Sequence, residues 1–160
     1  MVYSPQIKKR RDMNKMFESG VIVSLDTCHS FEERIIVIEK ISKHIDCFNL
    51  GPKSLSNHDE GKHLVNLINK NKSKVFTPLG SVAIKMNLKS DTIFYHFPNS
   101  DEDMLKAREC AGDHKLFGVL LTPDKDDSKD TEDFIKLIFN LIKYQFDGVF
   151  CSANALALLG

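Results

Sequence analysis

Short apolar runs alternate with longer stretches of helical period along this chain. Val21-Ile22-Val23-Ser24-Leu25-Asp26 reads as a strand apolar on both faces, with a carboxylate at its C-terminal end. Ser30 then offers an N-cap, and Glu33, three residues on, completes a capping box. Ile35, Ile36, Ile38 and Ile41 give the following helix an apolar stripe. The cycle repeats. Residues 46–50 predict a second strand, stopped by Gly51-Pro52, and a helix follows through Leu64, Val65, Leu67 and Ile68. The third strand is 74–77 and the fourth 92–97. Residues 101–111 predict a helix capped by Ser100, with Asp101, Glu102 and Asp103 set against the positive end of its dipole. The fifth strand is 116–121. An amphipathic helix at 133–144 carries Phe134, Leu137, Ile138, Leu141 and Ile142. The sixth strand is 148–151, and 154–159 begins another helix. The run Asp124-Lys125-Asp126-Asp127-Ser128-Lys129-Asp130 is expected to be a polar loop.

Strands buried on both faces, each followed by a helix, imply a parallel sheet and an α/β class. Two architectures fit: a doubly wound sheet and a (β/α)₈ barrel. Neither GxGxxG nor GxxxxGK[ST] follows any strand, so the nucleotide-loop versions lack support. The pattern supplies about six units where a barrel needs eight, and Gly160 falls inside what should be the next helix. The expectation is a single TIM-barrel-like domain over 1–160. Its last two units would be absent, and 1–18 would form a helical or flexible arm.

Composition narrows the partners. Hydrophobic content of 42% and charged content of 28% are those of a soluble globular chain. Lys plus Arg and Asp plus Glu are 22 each, and zero net charge argues against a dedicated nucleic-acid binder. Lys8-Lys9-Arg10-Arg11 is a local basic cluster, read as a solvated helix face or terminal arm. The apolar runs are too short to span a membrane. Cys28, Cys47, Cys110 and Cys151 form no CxxC, and no signal peptide precedes them, so a reducing, cytoplasmic setting is expected. Asp26, Cys28, His29, Cys47, His96 and Cys151 match no zinc spacing, so neither metal nor cofactor is expected.

Six segments, in order, resemble orotidine 5'-phosphate decarboxylase. VIVSLD (21–26) resembles that family's first strand, ending in Asp, and DCFNLGPKSL (46–55) its strand ending in Lys-Val-Gly. KVFTPLGSVAI (74–84) occupies the place of the Asp-x-Lys-x-x-Asp strand. IFYHFPNSDEDMLKAREC (93–110) follows the His-containing fourth strand and its helix. LFGVLLTPD (116–124) resembles the fifth strand, ending in Leu-Thr-Ser. FDGVFCSANAL (146–156) is close to the Asp-Gly-Val-Val-Cys-Ser-Ala signature. The resemblance implies a barrel lyase of pyrimidine (UMP) biosynthesis.

It also implies lost chemistry. Decarboxylation leaves a carbanion, which needs a proton donor and fixed charges beside it. The family supplies an alternating Lys-Asp-Lys-Asp network. The aligned positions here are Asn49, Pro78, Gly80 and Ala83, so no catalytic residue is expected. Asn87-Leu88-Lys89-Ser90-Asp91 is a second candidate for the motif. It lies too far beyond Asn49 and leaves no room for a helix before the strand at 92. Asp26 aligns with a ribose-contacting Asp, against which stands a plain strand-end cap. Thr122 aligns with a base-contacting Thr, against which stands a turn residue before Pro123. His96, at the mouth of the fourth strand, is a binding candidate or a satisfied structural imidazole. The expected partners are a second copy or a complementing chain at open strand edges, and a pyrimidine nucleotide. The rival readings are a split, active decarboxylase and a non-enzymatic scaffold.

Overall fold

The computed structural model describes residues 21–80, 88–120 and 128–151, with side chains from 132 onward in the last stretch. The chain divides into two compact units, Met1–Phe76 and Thr77–Gly160. Strands and helices alternate, and every described strand pairing is parallel, which is an α/β fold.

In the first unit the elements are β1 (Ile22–Ser24), α1 (Phe31–Ile41), β2 (Cys47–Asn49), α2 (His58–Lys70) and the start of β3 (Lys74–Pro78). Ile22 pairs with Cys47, and Cys47 in turn with Lys74. The ladder extends past β2 at both ends, because Lys74 N–H donates to the Asp46 carbonyl at 2.7 Å and Leu50 N–H to the Phe76 carbonyl at 2.8 Å. β1 is shorter than expected. After Ser24 the chain tightens into a 3-10 turn at Leu25–Thr27, closed by Cys28 N–H on the Leu25 carbonyl and Thr27 Oγ1 on the Ser24 carbonyl.

Leu25, Phe48, Leu50 and Val75 are fully buried, and so are Ile38 of α1 and Leu64 and Ile68 of α2. Arg34 and Ile38, one helical turn apart, are the buried face of α1. Ile36 sits about 200° around the helix from each and is 48% exposed, contrary to its expected place in the stripe. The cap of α1 also differs in one detail. Ser30 Oγ accepts from Glu33 N–H as expected, but the Glu33 carboxylate takes the N–H of His29 rather than that of Ser30. α2 is capped by Asn57, whose Oδ1 accepts from Asp59 and Glu60 N–H.

The second unit holds β4 (Ile93–His96), α3 (Asp101–Ala111), β5 (Lys115–Leu120), α4 (Ser128–Lys143) and β6 (Gly148–Cys151). Ile93 pairs with Lys115, and Phe117 with Gly148. Leu79, just past β3, donates its N–H to the Tyr95 carbonyl at 2.8 Å. α3 and β6 have the expected bounds. α4 begins at Ser128 instead of 133, so part of the expected polar loop is helix.

Small Ala107 and Ala111 let α3 lie close on Phe94 and Leu116, while Met104 meets Leu120, Phe134 and Leu141. Gly118 does the same for α4, since a Cβ there would lie 2.7 Å from a Leu141 methyl. Ile142, expected in the core stripe of α4, is 61% exposed.

At the N-terminal ends of β5 and β6 the Asp147 carboxylate is only 5% exposed. It accepts from Arg108 Nη1 at 3.2 Å, Lys115 Nζ at 3.1 Å and Leu116 N–H at 3.0 Å. Arg108 spends its other donors on the carbonyls of Gly112, His114 and Gln145. This end of the sheet is therefore bound by charge as well as by packing.

Candidate functional site

In parallel α/β proteins the chemistry gathers where strands end and loops begin. In the first unit those ends carry Ser24, Asp26 and Asn49. Asp26 lies in the 3-10 turn and reaches the turn that follows β2. Its Oδ1 accepts from Ser54 N–H at 2.9 Å and Ser54 Oγ at 2.6 Å, and its Oδ2 accepts from Lys53 N–H at 3.1 Å. Gly51 makes room for it: a Cβ there would fall 2.8 Å from Asp26 Cγ and closer still to Oδ2. Asp26 is thus a clamp that fixes the turn at 51–54. Lys53 is a lysine beyond a strand end, but its side chain is exposed and its backbone serves Asp26.

Asn49 Nδ2 donates to Ser24 Oγ at 3.4 Å, a long bond. Its Oδ1 is buried and accepts no hydrogen bond. An amide at this place can donate and accept, but it carries no charge and gives up no proton at neutral pH. Cys28, just past the 3-10 turn, is not an activated thiol. Burial pushes its pKa up, Glu33 adds to the rise, and Arg34 only partly offsets it.

In the second unit, Pro78, Leu79 and Gly80 continue from β3 with no ionisable side chain. A Cβ on Gly80 would meet nothing within 4 Å, so sterics do not enforce glycine there. Lys89 and Asp91 lie in the turn that precedes β4, where Thr92 N–H donates to the Lys89 carbonyl at 3.0 Å. That is the N-terminal end of the strand, away from the end where His96 sits.

His96 ends β4, and its Nε2 meets Asp103 Oδ2 of α3 at 2.8 Å. The same oxygen accepts from Asn99 N–H at 3.1 Å, while Asp103 N–H donates to the Ser100 cap. Burial pushes the Asp103 carboxyl up. The bonds from His96 and Asn99, with the charges of His96 and Lys106, outweigh it and leave the group below its ordinary range. An ionised Asp103 holds His96 with Nε2 protonated, in one fixed orientation. Sequence reading missed Asp103 as the partner of His96. The signal was the Ser-x-x-Asp pattern at 100–103, which sets a carboxylate over the end of the preceding loop.

Ala83 and Thr122 lie outside the described residues. Asp26, in the 3-10 turn after β1, and Asp103, in the first turn of α3, are both committed to intrachain hydrogen bonds. Among the described residues, no three His, Cys, Asp or Glu side chains come together in a way that could hold a metal ion. No described helix is long and apolar enough to cross a membrane. Comparison with protein-family models, with curated proteins and with solved structures finds no match to this chain.

Proposed function

We propose that the chain descends from an orotidine 5'-phosphate decarboxylase-like (β/α)₈ barrel and no longer performs decarboxylation. Its role is then that of a nucleotide-binding or scaffold protein rather than a lyase. The observation that carries the reading is the neutral strand end Pro78-Leu79-Gly80. It stands where six segments in family order call for an aspartate and the proton-donating lysine.

A carbanion at a pyrimidine carbon has no proton source here. Asn49 does not titrate, Pro78 and Gly80 carry no side-chain proton, and His96 is turned to Asp103. The committed state of Asp26 points the same way, since a carboxylate holding three donors of the 51–54 turn has little capacity left for a ribose hydroxyl.

Calorimetric titration with 6-azauridine monophosphate tests what binding remains. Heat that saturates at a one-to-one ratio, and that disappears in His96→Ala, supports a retained nucleotide site. No heat up to millimolar ligand leaves the scaffold version. Neither result rescues the lyase, which a turnover assay addresses separately.

A further inference from the structure

The outer face of α4 carries large apolar side chains that stay partly exposed. Phe134 and Leu141 define the face of α4 turned to the sheet. Asn140, Lys143 and Tyr144 define a second side, because all three reach Asp101 at the start of α3. Ile135, Phe139 and Ile142 follow one another at spacings of four and three residues, so they form one stripe. At 100° per residue that stripe points away from α3. The three are 37%, 66% and 61% exposed. Together they offer on the order of 300 Å² of apolar surface, large for three adjacent residues of one helix.

We propose that this stripe is an interface between two copies of the chain, packed as an antiparallel α4–α4 pair about a twofold axis. The case rests on self-complementarity. In an antiparallel twofold pair centred between positions 138 and 139, Ile135 of one copy faces Ile142 of the other, and the two Phe139 rings meet at the axis.

The charges bordering the stripe agree with that register. Glu132 and Lys143 lie on the same flank, near opposite ends of the helix. A twofold axis across the helices keeps each flank on its own side and reverses its direction. Glu132 of each copy therefore approaches Lys143 of the other, with an axial offset of about 3 Å that both long side chains can span. Lys143 holds Asp101 at 3.4 Å and lies 4.8 Å from the centroid of the Tyr144 ring; both contacts are at the surface, so pairing with Glu132 would exchange them rather than break a buried bond. A parallel pair would instead put these flanks on opposite sides of the interface and leave each Glu132 about 16 Å along the helix from either Lys143, so the charges would not pair. The pairing is independent of the chain's ancestry and lies on a helix face rather than on a strand edge.

The stripe is smaller than the roughly 800 Å² per partner of a stable interface, so the dimer is weak, with Kd on the order of 100 μM. Sedimentation equilibrium of the full chain from about 10 μM to 1 mM reads it directly. The expected result is a monomer–dimer equilibrium. Phe139→Ser should raise Kd at least about tenfold. Glu132→Lys and Lys143→Glu should each weaken association, and the double charge reversal should restore it. Circular dichroism of each variant separates lost association from lost folding.

A monomer mass across the whole range overturns the proposal. So does association that is indifferent to Phe139. Failure of the double reversal to restore binding overturns the antiparallel register. A chain that stays monomeric, and binds a hydrophobic dye only after 152–160 are removed, gives the stripe to the chain's own C-terminal segment and also overturns the proposal.

Discussion

Asp26→Ala separates a structural carboxylate from a ligand-binding one. The substitution removes three hydrogen bonds from an ionised acceptor, to Lys53 N–H, Ser54 N–H and Ser54 Oγ. Ser54 is buried, so its N–H and hydroxyl are left without water to replace the carboxylate. Charged hydrogen bonds contribute about 1.5–3 kcal/mol each, but three on one group are not additive, and about 3 kcal/mol in total is expected. At about 2–4 °C per kcal/mol for a chain of this size, Tm should fall by about 6–12 °C.

Gly51→Ala attacks the same clamp from the other side, since its Cβ would displace the Asp26 carboxylate. That variant should cost about 1–2 kcal/mol in the native background. In the Asp26→Ala background the space is vacated, and the same substitution should be neutral or slightly stabilising through the unfolded chain. Urea denaturation of the four proteins gives the coupling energy, expected to exceed about 1 kcal/mol. Strict additivity, or an Asp26→Ala protein as stable as the parent, would refute the clamp and return Asp26 to the ligand site.

Three further outcomes follow from the second unit. Asp147→Asn should lower stability by about 2–3 kcal/mol in urea melts, less than a fully buried pair would cost, because Lys115 is a third exposed and Arg108 keeps its carbonyl partners. Asp103 has a depressed pKa in the folded chain, so the stability it gives is present above its unfolded value of about 3.9 and is lost as pH falls through the lower folded value. The stability gap between the parent and Asp103→Asn should therefore hold steady above pH ~5 and close below pH ~4, and a gap that widened on acidification would contradict the assignment. Gly80→Lys should fold with stability within about 0.5 kcal/mol of the parent, given the open space at its Cβ, and on the proposed ancestry should confer no decarboxylation, since Asn49, Pro78 and Ala83 stay uncharged.

The alternation of strand and helix was legible because the buried elements carry their period in full. The helix Asp101–Ala111 was bounded to the residue, since its cap, its acidic first turn and its alanines all agree. The start of α4 was hidden because residues 128–133 contain no apolar side chain to mark a period. Ile36 and Ile142 show the limit of a stripe read from composition: each lies about a quarter turn or more off the buried pair, and periodicity over so few turns does not place that boundary.

The first strand ended early for a reason no alternation reveals, a 3-10 turn sealed by the hydroxyl of Thr27. The candidate site was legible as positions but not as bonds. Asp26 and His96 were both singled out, yet Ser54 and Asp103 lie 28 and 7 residues from them, and only the fold brings each pair together.

The most direct test is orotidine monophosphate consumption by the purified chain, followed by loss of substrate absorbance and by chromatographic detection of uridine monophosphate. The expected result is a rate no higher than that of buffer alone, at enzyme concentrations up to about 100 μM, well above the Kd of ordinary nucleotide sites. Catalytic formation of uridine monophosphate would contradict the account. It would mean that a proton donor outside Asn49, Pro78 and Gly80 serves the reaction.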